Sequence, residues 1–131
     1  MKLITIISWL LRIVAAVILL QTLYFKFTAH PESVTLFTKL GVEPWGRLGT
    51  GVIELVAGIL ILVPATVFIG SFLGIGLMLG AIASHIFVLG IESAGDGGQL
   101  FLYANIVLIC CVALSIIYRK EGIALLTRLK K

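Results

Sequence analysis

Hydrophobic residues follow one another along this chain in long blocks, and polar residues are concentrated in the short stretches between the blocks. The blocks have the length and the near absence of charge that membrane-spanning helices require. They predict four spans, at residues 3–27, 46–63, 67–91 and 99–118. Pro64 divides the second span from the third. Without that break, the uncharged stretch over residues 55–91 would form a helix about 55 Å long in a hydrocarbon core about 30 Å thick.

The long connection between the first two spans carries the signals of a short helix of its own. Pro31 suits a first helical position, and Gly41 suits the residue just past a helix end. Between them, Val34, Phe37 and Leu40 form an apolar stripe. We therefore expect a short helix that lies on the membrane surface or dips into it.

Two later segments complete the predicted organisation. The sequence ESAGDGG, at residues 92–98, predicts a turn between the third and fourth spans because it contains three glycines and an acid. The tail EGIALLTRLKK places Ile123 and Leu126 on one side and its cations on other sides. It is expected to lie along the interface as an amphipathic segment.

Composition supports an integral membrane protein of one domain. The chain has 131 residues, of which 60% are hydrophobic and 12% charged, and its mean hydropathy is +1.20. A soluble domain has about 25% charged residues. The first block is longer than the core of a signal peptide and no A-x-A site follows it, so we interpret it as a retained span. The expected fold class is all-α, a four-helix transmembrane bundle covering residues 1–131.

The net charge of +4 reflects the placement of basic residues around the spans rather than a nucleic-acid-binding surface. Five of the ten Lys and Arg residues lie in the last thirteen positions: Arg119, Lys120, Arg128, Lys130 and Lys131. With Lys2 they give six basic residues on the side of the termini, against three on the other side, Lys26, Lys39 and Arg47. This bias predicts that both termini are cytoplasmic and that the long connection faces outward. Anionic lipid is the expected partner of the basic tail.

Polar residues within the spans are the candidate functional groups. The helical rise places Glu54 about 10–12 Å below Arg47, and it places His85 and Asn105 about 9 Å from the outer ends of their spans. Lys26 lies near the outer end of the first span. These five residues share the outer half of the membrane, and we predict that they form a ligand-binding set.

Glu54 is the most constrained of these residues. A charged side chain at the bilayer centre costs about 2.5–3.5 kcal/mol even on the mildest scale, and the short glutamate cannot reach the interface. Glu54 must therefore be protonated or be paired with a cation. Lys26 and Arg47 are the candidate partners, with His85 as a further one. Arg12, in the inner half, is expected to extend toward the cytoplasmic headgroups.

The cluster around Glu54 is open to two interpretations. An ion pair with a histidine nearby can fix the register of the helices. Alternatively, intramembrane ionisable groups often serve function. The cluster would then line a pocket that binds a small polar head, such as a quinone carbonyl, or that relays protons.

Small residues and cysteines inside the spans have structural interpretations. Gly70–Gly74 and Gly76–Gly80 have the G-x-x-x-G spacing, which serves either close packing within the bundle or a homodimer face. Cys110 and Cys111 are adjacent and point about 100° apart on a helix, so we interpret them as packing residues. A single intramembrane histidine does not make a metal site, and no cofactor motif is evident.

Three segments resemble the DoxX-like family of small bacterial membrane proteins: YFKFTAHPESVTLFTKLG, GVIELVAGILILVP and GLMLGAIASHIFVLGI. The family pattern is a lysine after the first span, Glu-Leu-x-x-Gly in the second, and a glycine-rich third span that often ends in a histidine. Lys26, Glu54, Leu55, Gly58 and His85 occupy those places here. The resemblance covers nearly the whole chain and implies a four-helix bundle in the bacterial inner membrane.

The family takes its name from a subunit associated with thiosulfate:quinone oxidoreductase, and most members have no assigned activity. The resemblance therefore implies an accessory or ligand-binding membrane subunit. It implies a quinone or another small apolar molecule as the candidate ligand, and a second copy or other membrane subunits as candidate partners. The alternative is a subunit of a quinone-linked oxidoreductase of thiosulfate or thiols. A transporter component ranks third, because helix-breaking residues within the spans are few.

Overall fold

The computed structural model describes residues 2–91 and 98–129, and within these ranges it contains helices and no strand. The α-helices are α1 Leu3–Gln21, α2 Leu23–Phe27, α3 Pro31–Lys39, α4 Trp45–Leu62, α5 Val67–Ser84, α6 Gln99–Ile117 and α7 Arg119–Leu129. A 3₁₀ turn at Pro64–Thr66 joins α4 to α5, and a π-helical segment at His85–Leu89 extends α5.

Four helical stretches are long and apolar enough to cross a membrane: Leu3–Phe27, Trp45–Leu62, Pro64–Leu89 and Gln99–Ile117. The first of them joins α1 to α2 through Thr22. Many large hydrophobic side chains on these stretches are exposed on the protein surface, which suits contact with lipid chains. The prediction of an all-α, four-span membrane bundle is confirmed, with span boundaries within three residues of those expected.

The four spans form a ring in which each span packs against two neighbours. Contacts join α1 to α4, α4 to α5, α5 to α6, and α6 back to α1. The start of α1 and helix α7 lie at one end of this ring, which we call the terminal end, and α3 lies at the opposite end, which we call the loop end. At the terminal end, the hydroxyls of Ser8 and Tyr118 are hydrogen-bonded at 2.7 Å, which ties the start of α1 to the end of α6.

The apolar core contains mainly aliphatic side chains together with two thiols. Its fully buried members include Ala57, Ile61 and Val107. Cys110 and Cys111 belong to this core and are free, as expected for neighbours on one helix. The interpretation of the cysteines as packing residues therefore agrees with their position.

The two G-x-x-x-G pairs on α5 have different surroundings. A Cβ atom at Gly70 would lie 2.7 Å from the backbone nitrogen of Ile61, and one at Gly74 would lie 2.5 Å from the Cys111 sulfur. A Cβ atom at Gly76 or Gly80 would meet nothing within 4 Å. The first pair thus permits close packing inside the bundle, and a homodimer face at the second pair stays a prediction.

The expectation for Arg12 is wrong, because this side chain is buried inside the bundle with 1% of its surface exposed. Its Nε donates to the carbonyl of Ile61 at 2.7 Å, and its Nη2 donates to the carbonyl of Leu62 at 2.6 Å. The guanidinium also lies 3.7 Å from the centre of the Trp9 ring. Carbonyls at the end of α4, just before Pro64, lack intrahelical donors, and a cation suits this negative helix end. Arg12 therefore caps α4 rather than extending to the headgroups.

The short helix in the first connection is present where it was predicted. Helix α3 begins at Pro31, and Gly41 follows its end with a φ of 76°. Phe37 is buried, and α3 contacts α2, α4 and the π-helical segment. Helix α3 thus covers the loop end of the bundle.

The remaining predicted segments are the second turn and the tail. Residues 92–97 of the predicted turn lie outside the described residues, and Gly98, with a φ of 87°, precedes α6. The tail forms α7, in which Ile123 and Leu126 are exposed. Gly122 is buried against the Phe68 ring of α5, so the tail helix packs against the terminal end of the bundle.

Candidate functional site

A cavity of about 730 Å³ lies at the loop end, among the four spans and beneath α3. Every span and α3 contribute side chains to its walls, and most of these side chains are apolar, among them Ile18, Leu36, Leu77, Leu89 and Leu100. A volume of this size is within the range of small-molecule sites, which are apolar clefts with a few placed polar groups. The polar residues on the walls therefore define the chemistry of the cavity.

The Lys26–Glu54 ion pair lies on the wall of the cavity. The Lys26 Nζ is 3.0 Å from each carboxylate oxygen of Glu54, and the two side chains are 13% and 6% exposed. Lys26 also donates to the hydroxyl of Thr22 at 3.2 Å, and that hydroxyl lies 2.8 Å from the Glu54 Oε2. The prediction that Glu54 is paired with a cation is confirmed, and of the candidate partners it is Lys26 that forms the pair.

Glycines on α4 explain how the acid and the lysine meet. Glu54 lies on the buried face of α4, between Gly51 and Gly58. A Cβ atom at Gly51 would come within 2.8 Å of the Phe27 ring, and one at Gly58 within 2.9 Å of the Leu20 side chain. The first span can therefore approach α4 closely on both sides of the carboxylate.

Arg47 is buried on the same face of α4 but has other partners than Glu54. Its Nε donates to both carboxylate oxygens of Glu43, at 2.9 and 3.0 Å, and its Nη1 donates to the backbone carbonyl of Lys26. Arg47 is not among the residues that line the cavity. Arg47 lies on α4 two turns closer to the loop end than Glu54 does. Its guanidinium therefore meets the end of α2 and caps it through the Lys26 carbonyl. The i,i+4 spacing of Glu43 and Arg47 was a sequence signal for this pair.

His85 lines the cavity from the first position of the π-helical segment. The residue is 5% exposed, and its Nδ1 lies 3.0 Å from the carbonyl oxygen of Gly90. Its ring packs edge-on against Phe101 of α6, with ring centres 5.8 Å apart. In the described part of the chain, His85 thus shares the cavity with the Lys26–Glu54 pair without being hydrogen-bonded to it.

Helix α6 contributes polar groups that differ from the predicted one. Asn105 is half-buried and donates to the carbonyl of Phe101 at 2.8 Å, and it does not line the cavity. Gln99 and Tyr103 do line it, and the Gln99 amide donates to the Tyr103 hydroxyl at 2.7 Å. Thr22 and this pair were missed from the sequence, although the four-residue spacing of Gln99 and Tyr103 places them on one helix face.

The buried charges on the cavity wall cancel, which favours a neutral ligand, since the ammonium of Lys26 and the carboxylate of Glu54 lie 3.0 Å apart. The further carboxylate on the lining, that of Glu32, is exposed. Donors and acceptors nevertheless remain on several walls, from Thr22, His85 and Tyr103. The arrangement can hold an uncharged molecule that has a small polar head and an apolar body.

The fold and the cavity define a multi-pass helical membrane protein with a polar-lined cavity at one end of a four-span ring. A family model described as the DoxX-like family matches residues 10–115, and the chain belongs to this family. The family inferred from the sequence is thereby confirmed. Comparisons with curated proteins and with solved structures found no match.

Proposed function

We propose that this DoxX-like protein is a ligand-binding or accessory membrane subunit whose cavity holds an uncharged amphiphile, with a quinone as the favoured class. The observation that carries this proposal is the buried Lys26–Glu54 pair on the wall of a largely apolar cavity of about 730 Å³. An amphiphile of matching size would make dispersion contacts with this apolar lining.

A quinone matches the cavity in shape and in polarity. Its ring and tail are apolar, and its carbonyl oxygens are hydrogen-bond acceptors that suit a donor such as the Tyr103 hydroxyl, which accepts from Gln99 and keeps its own hydrogen. The cavity is lined by residues from every span and includes the exposed Gly80 of α5. A tail can leave the cavity beside Gly80, where a Cβ atom would meet nothing within 4 Å among the described residues.

The proposed setting is the bacterial inner membrane, with both termini in the cytoplasm and the cavity in the outer leaflet. The support is the distribution of basic residues, since Lys2, Arg119, Lys120 and Arg128 lie at the terminal end. Membrane lipid then surrounds the spans, and anionic headgroups meet the basic α7. Further membrane subunits or a second copy of the chain are proposed partners.

The test of the proposal is retention of a bound molecule by the purified protein. The chain is extracted from its native membrane in mild detergent, and the co-purified small molecules are quantified by mass spectrometry. Glu54→Gln leaves Lys26 without its counter-ion and changes the polarity of the wall, so we expect at least a tenfold loss of the retained amphiphile.

Glu43→Gln is the matched control for this test. It is the same substitution at another carboxylate paired with a cation, and Glu43 does not line the cavity. The control is expected to retain the molecule at the level of the unmodified chain. Equal retention by both variants would contradict the proposed site.

The alternative function, a subunit of a quinone-linked oxidoreductase of thiosulfate or thiols, would use the same cavity for its quinone. Cys110 and Cys111 lie in the buried core and not among the lining residues. In this alternative, electrons would reach the bound quinone from a partner subunit rather than from these thiols. Thiosulfate-dependent quinone reduction that requires an added partner, and that persists after both cysteines are changed to serine, would favour it.

A further inference from the structure

The geometry points to the Nε2 atom of His85 as a hydrogen-bond acceptor for a hydroxyl group on the bound molecule. This inference rests on the proposed function and adds the chemistry of the head group. The cavity would select an amphiphile whose polar head carries a hydroxyl, such as the hydroquinone form of a quinone, over the same molecule without a hydroxyl hydrogen.

The hydrogen bond at the other ring nitrogen determines the tautomer of His85. Nδ1 lies 3.0 Å from the carbonyl oxygen of Gly90, and a carbonyl oxygen only accepts hydrogen bonds. Nδ1 therefore carries the hydrogen. In a neutral imidazole the second nitrogen, Nε2, then has a free lone pair and can only accept.

The local backbone holds the imidazole ring in this orientation. The π-helical segment His85–Leu89 ends at Gly90, whose φ of 81° turns the chain back, so that its carbonyl lies against the side chain five residues earlier. The Phe101 ring of α6 packs edge-on against the imidazole. π-Helical turns recur at functional sites because they redirect side chains within a helix.

The Nε2 atom is the unpaired part of an otherwise buried side chain. His85 is 5% exposed and lines the cavity, and within residues 2–91 and 98–129 its ring hydrogen bond is the one made by Nδ1. Among the described residues the fully buried, unpartnered side-chain atoms are the hydroxyls of Ser71 and Ser115, so Nε2 is an acceptor left accessible on the cavity side of the ring. A hydroxyl from the bound molecule can donate to it, whereas a carbonyl or an ether oxygen cannot.

The second histidine of the chain provides an internal reference. His30 accepts a hydrogen bond at Nδ1 from the backbone N–H of Glu32, at 3.3 Å. By the same reasoning, a neutral His30 carries its hydrogen on Nε2. The two histidines thus have opposite tautomers, and ring ¹⁵N chemical shifts distinguish them.

The first measurement compares two probes on the purified full-length chain in lipid nanodiscs. One probe is a short-chain alkyl hydroquinone, and the other is its dimethyl ether, which has the same ring and tail but no hydroxyl hydrogen. Loss of one hydrogen bond to a buried acceptor predicts that the hydroquinone binds about fivefold more tightly.

Two substitutions at His85 separate the two ring nitrogens. In His85→Asn the side-chain amide can replace Nδ1 at the Gly90 carbonyl but does not reach the position of Nε2, so both probes should bind equally. In His85→Gln the side-chain oxygen can reach the position of Nε2, so a preference for the hydroquinone should remain. Loss of the preference in both variants, or in neither, would overturn the role given to Nε2.

The second measurement follows the histidine ring nitrogens by NMR and does not depend on any substitution. We expect the Nδ1–H tautomer for His85, the Nε2–H tautomer for His30, and a shift of the His85 Nε2 signal with the hydroquinone but not with the ether. A histidine with a purely structural role would not respond to either probe. Equal affinity for both probes would overturn this inference alone, whereas binding of neither would contradict the proposed function as well.

Discussion

At the scale of single residues, Arg12, Arg47 and Glu54 are buried charged side chains within the spans, and each is stabilised by a different set of partners. Glu54 takes an ammonium and a hydroxyl as partners, at 3.0 and 2.8 Å. Arg12 takes two backbone carbonyls at the end of α4, and Arg47 takes a carbonyl of α2 together with Glu43. Each charge is thereby satisfied without water, as burial away from solvent requires.

A double-mutant cycle on the cavity pair tests this account of Glu54. Lys26→Met leaves the carboxylate buried without its cation, and we expect it to lower the free energy of unfolding by roughly 3 kcal/mol. Lys26→Met combined with Glu54→Gln removes both charges and should recover most of that loss. Unfolding in mixed detergent micelles measures all four proteins, and additive losses would show that the two side chains are not coupled.

The residue scale also shows what the sequence could reveal of the site. A glutamate inside a span has few acceptable partners, so a cationic partner was predictable, and depth and helix face left Lys26 and Arg47 as the candidates. The caps that Arg12 and Arg47 form were not predictable, because the acceptors in these caps are carbonyls at helix ends. Every residue carries such a carbonyl, and only the packing of two helices shows which of them are free.

At the scale of secondary-structure elements, α5 divides into a packed half and an open half. Its first half lies close to the backbone of α4 at Gly70, and its second half lines the cavity with Gly76 and Gly80. The hydrophobic pattern predicted the length of this span. The pattern could not reveal the change to a π-helix at His85, because five apolar or aromatic residues fit either helix type.

Two alanine substitutions on α5 test this division. In Gly70→Ala the new Cβ would lie 2.7 Å from the backbone nitrogen of Ile61, so α4 and α5 must separate, and we expect a loss of about 1–3 kcal/mol in unfolding free energy. Gly76→Ala has open space and gains helix propensity, so its stability should be unchanged or slightly higher. Thermal unfolding of both variants in detergent checks the difference, and similar losses would contradict it.

At the scale of the whole molecule, the described part of the four-span ring is filled by side chains at the terminal end and surrounds a cavity at the loop end. The Ser8–Tyr118 hydrogen bond, the Arg12 cap and the apolar core fill the terminal half. The cavity occupies the other half, beneath α3. The sequence predicted that polar groups share one layer of the membrane, but the volume between the spans depends on how the helices diverge, which hydrophobic periodicity does not encode.

Accessibility of single cysteines tests the proposed orientation of the molecule. Thr35→Cys on α3 and Ala124→Cys on α7 place thiols at exposed positions at opposite ends of the bundle. The native cysteines are buried in the core and should react little. A membrane-impermeant maleimide should label the α3 variant in intact spheroplasts and the α7 variant after lysis, and the reverse pattern would invert the proposed topology.

The cap that Arg12 places on α4 constrains how the nascent chain enters the bilayer. Its carbonyl partners lie 49 and 50 residues later in the sequence, so they emerge from the ribosome well after the first hydrophobic segment does. Until then the guanidinium lacks the acceptors that it has in the folded bundle. If the first segment entered the bilayer without the second, the unpaired charge would cost about 2.5–3.5 kcal/mol. We therefore expect the first and second segments to partition into the bilayer together, as a helical hairpin.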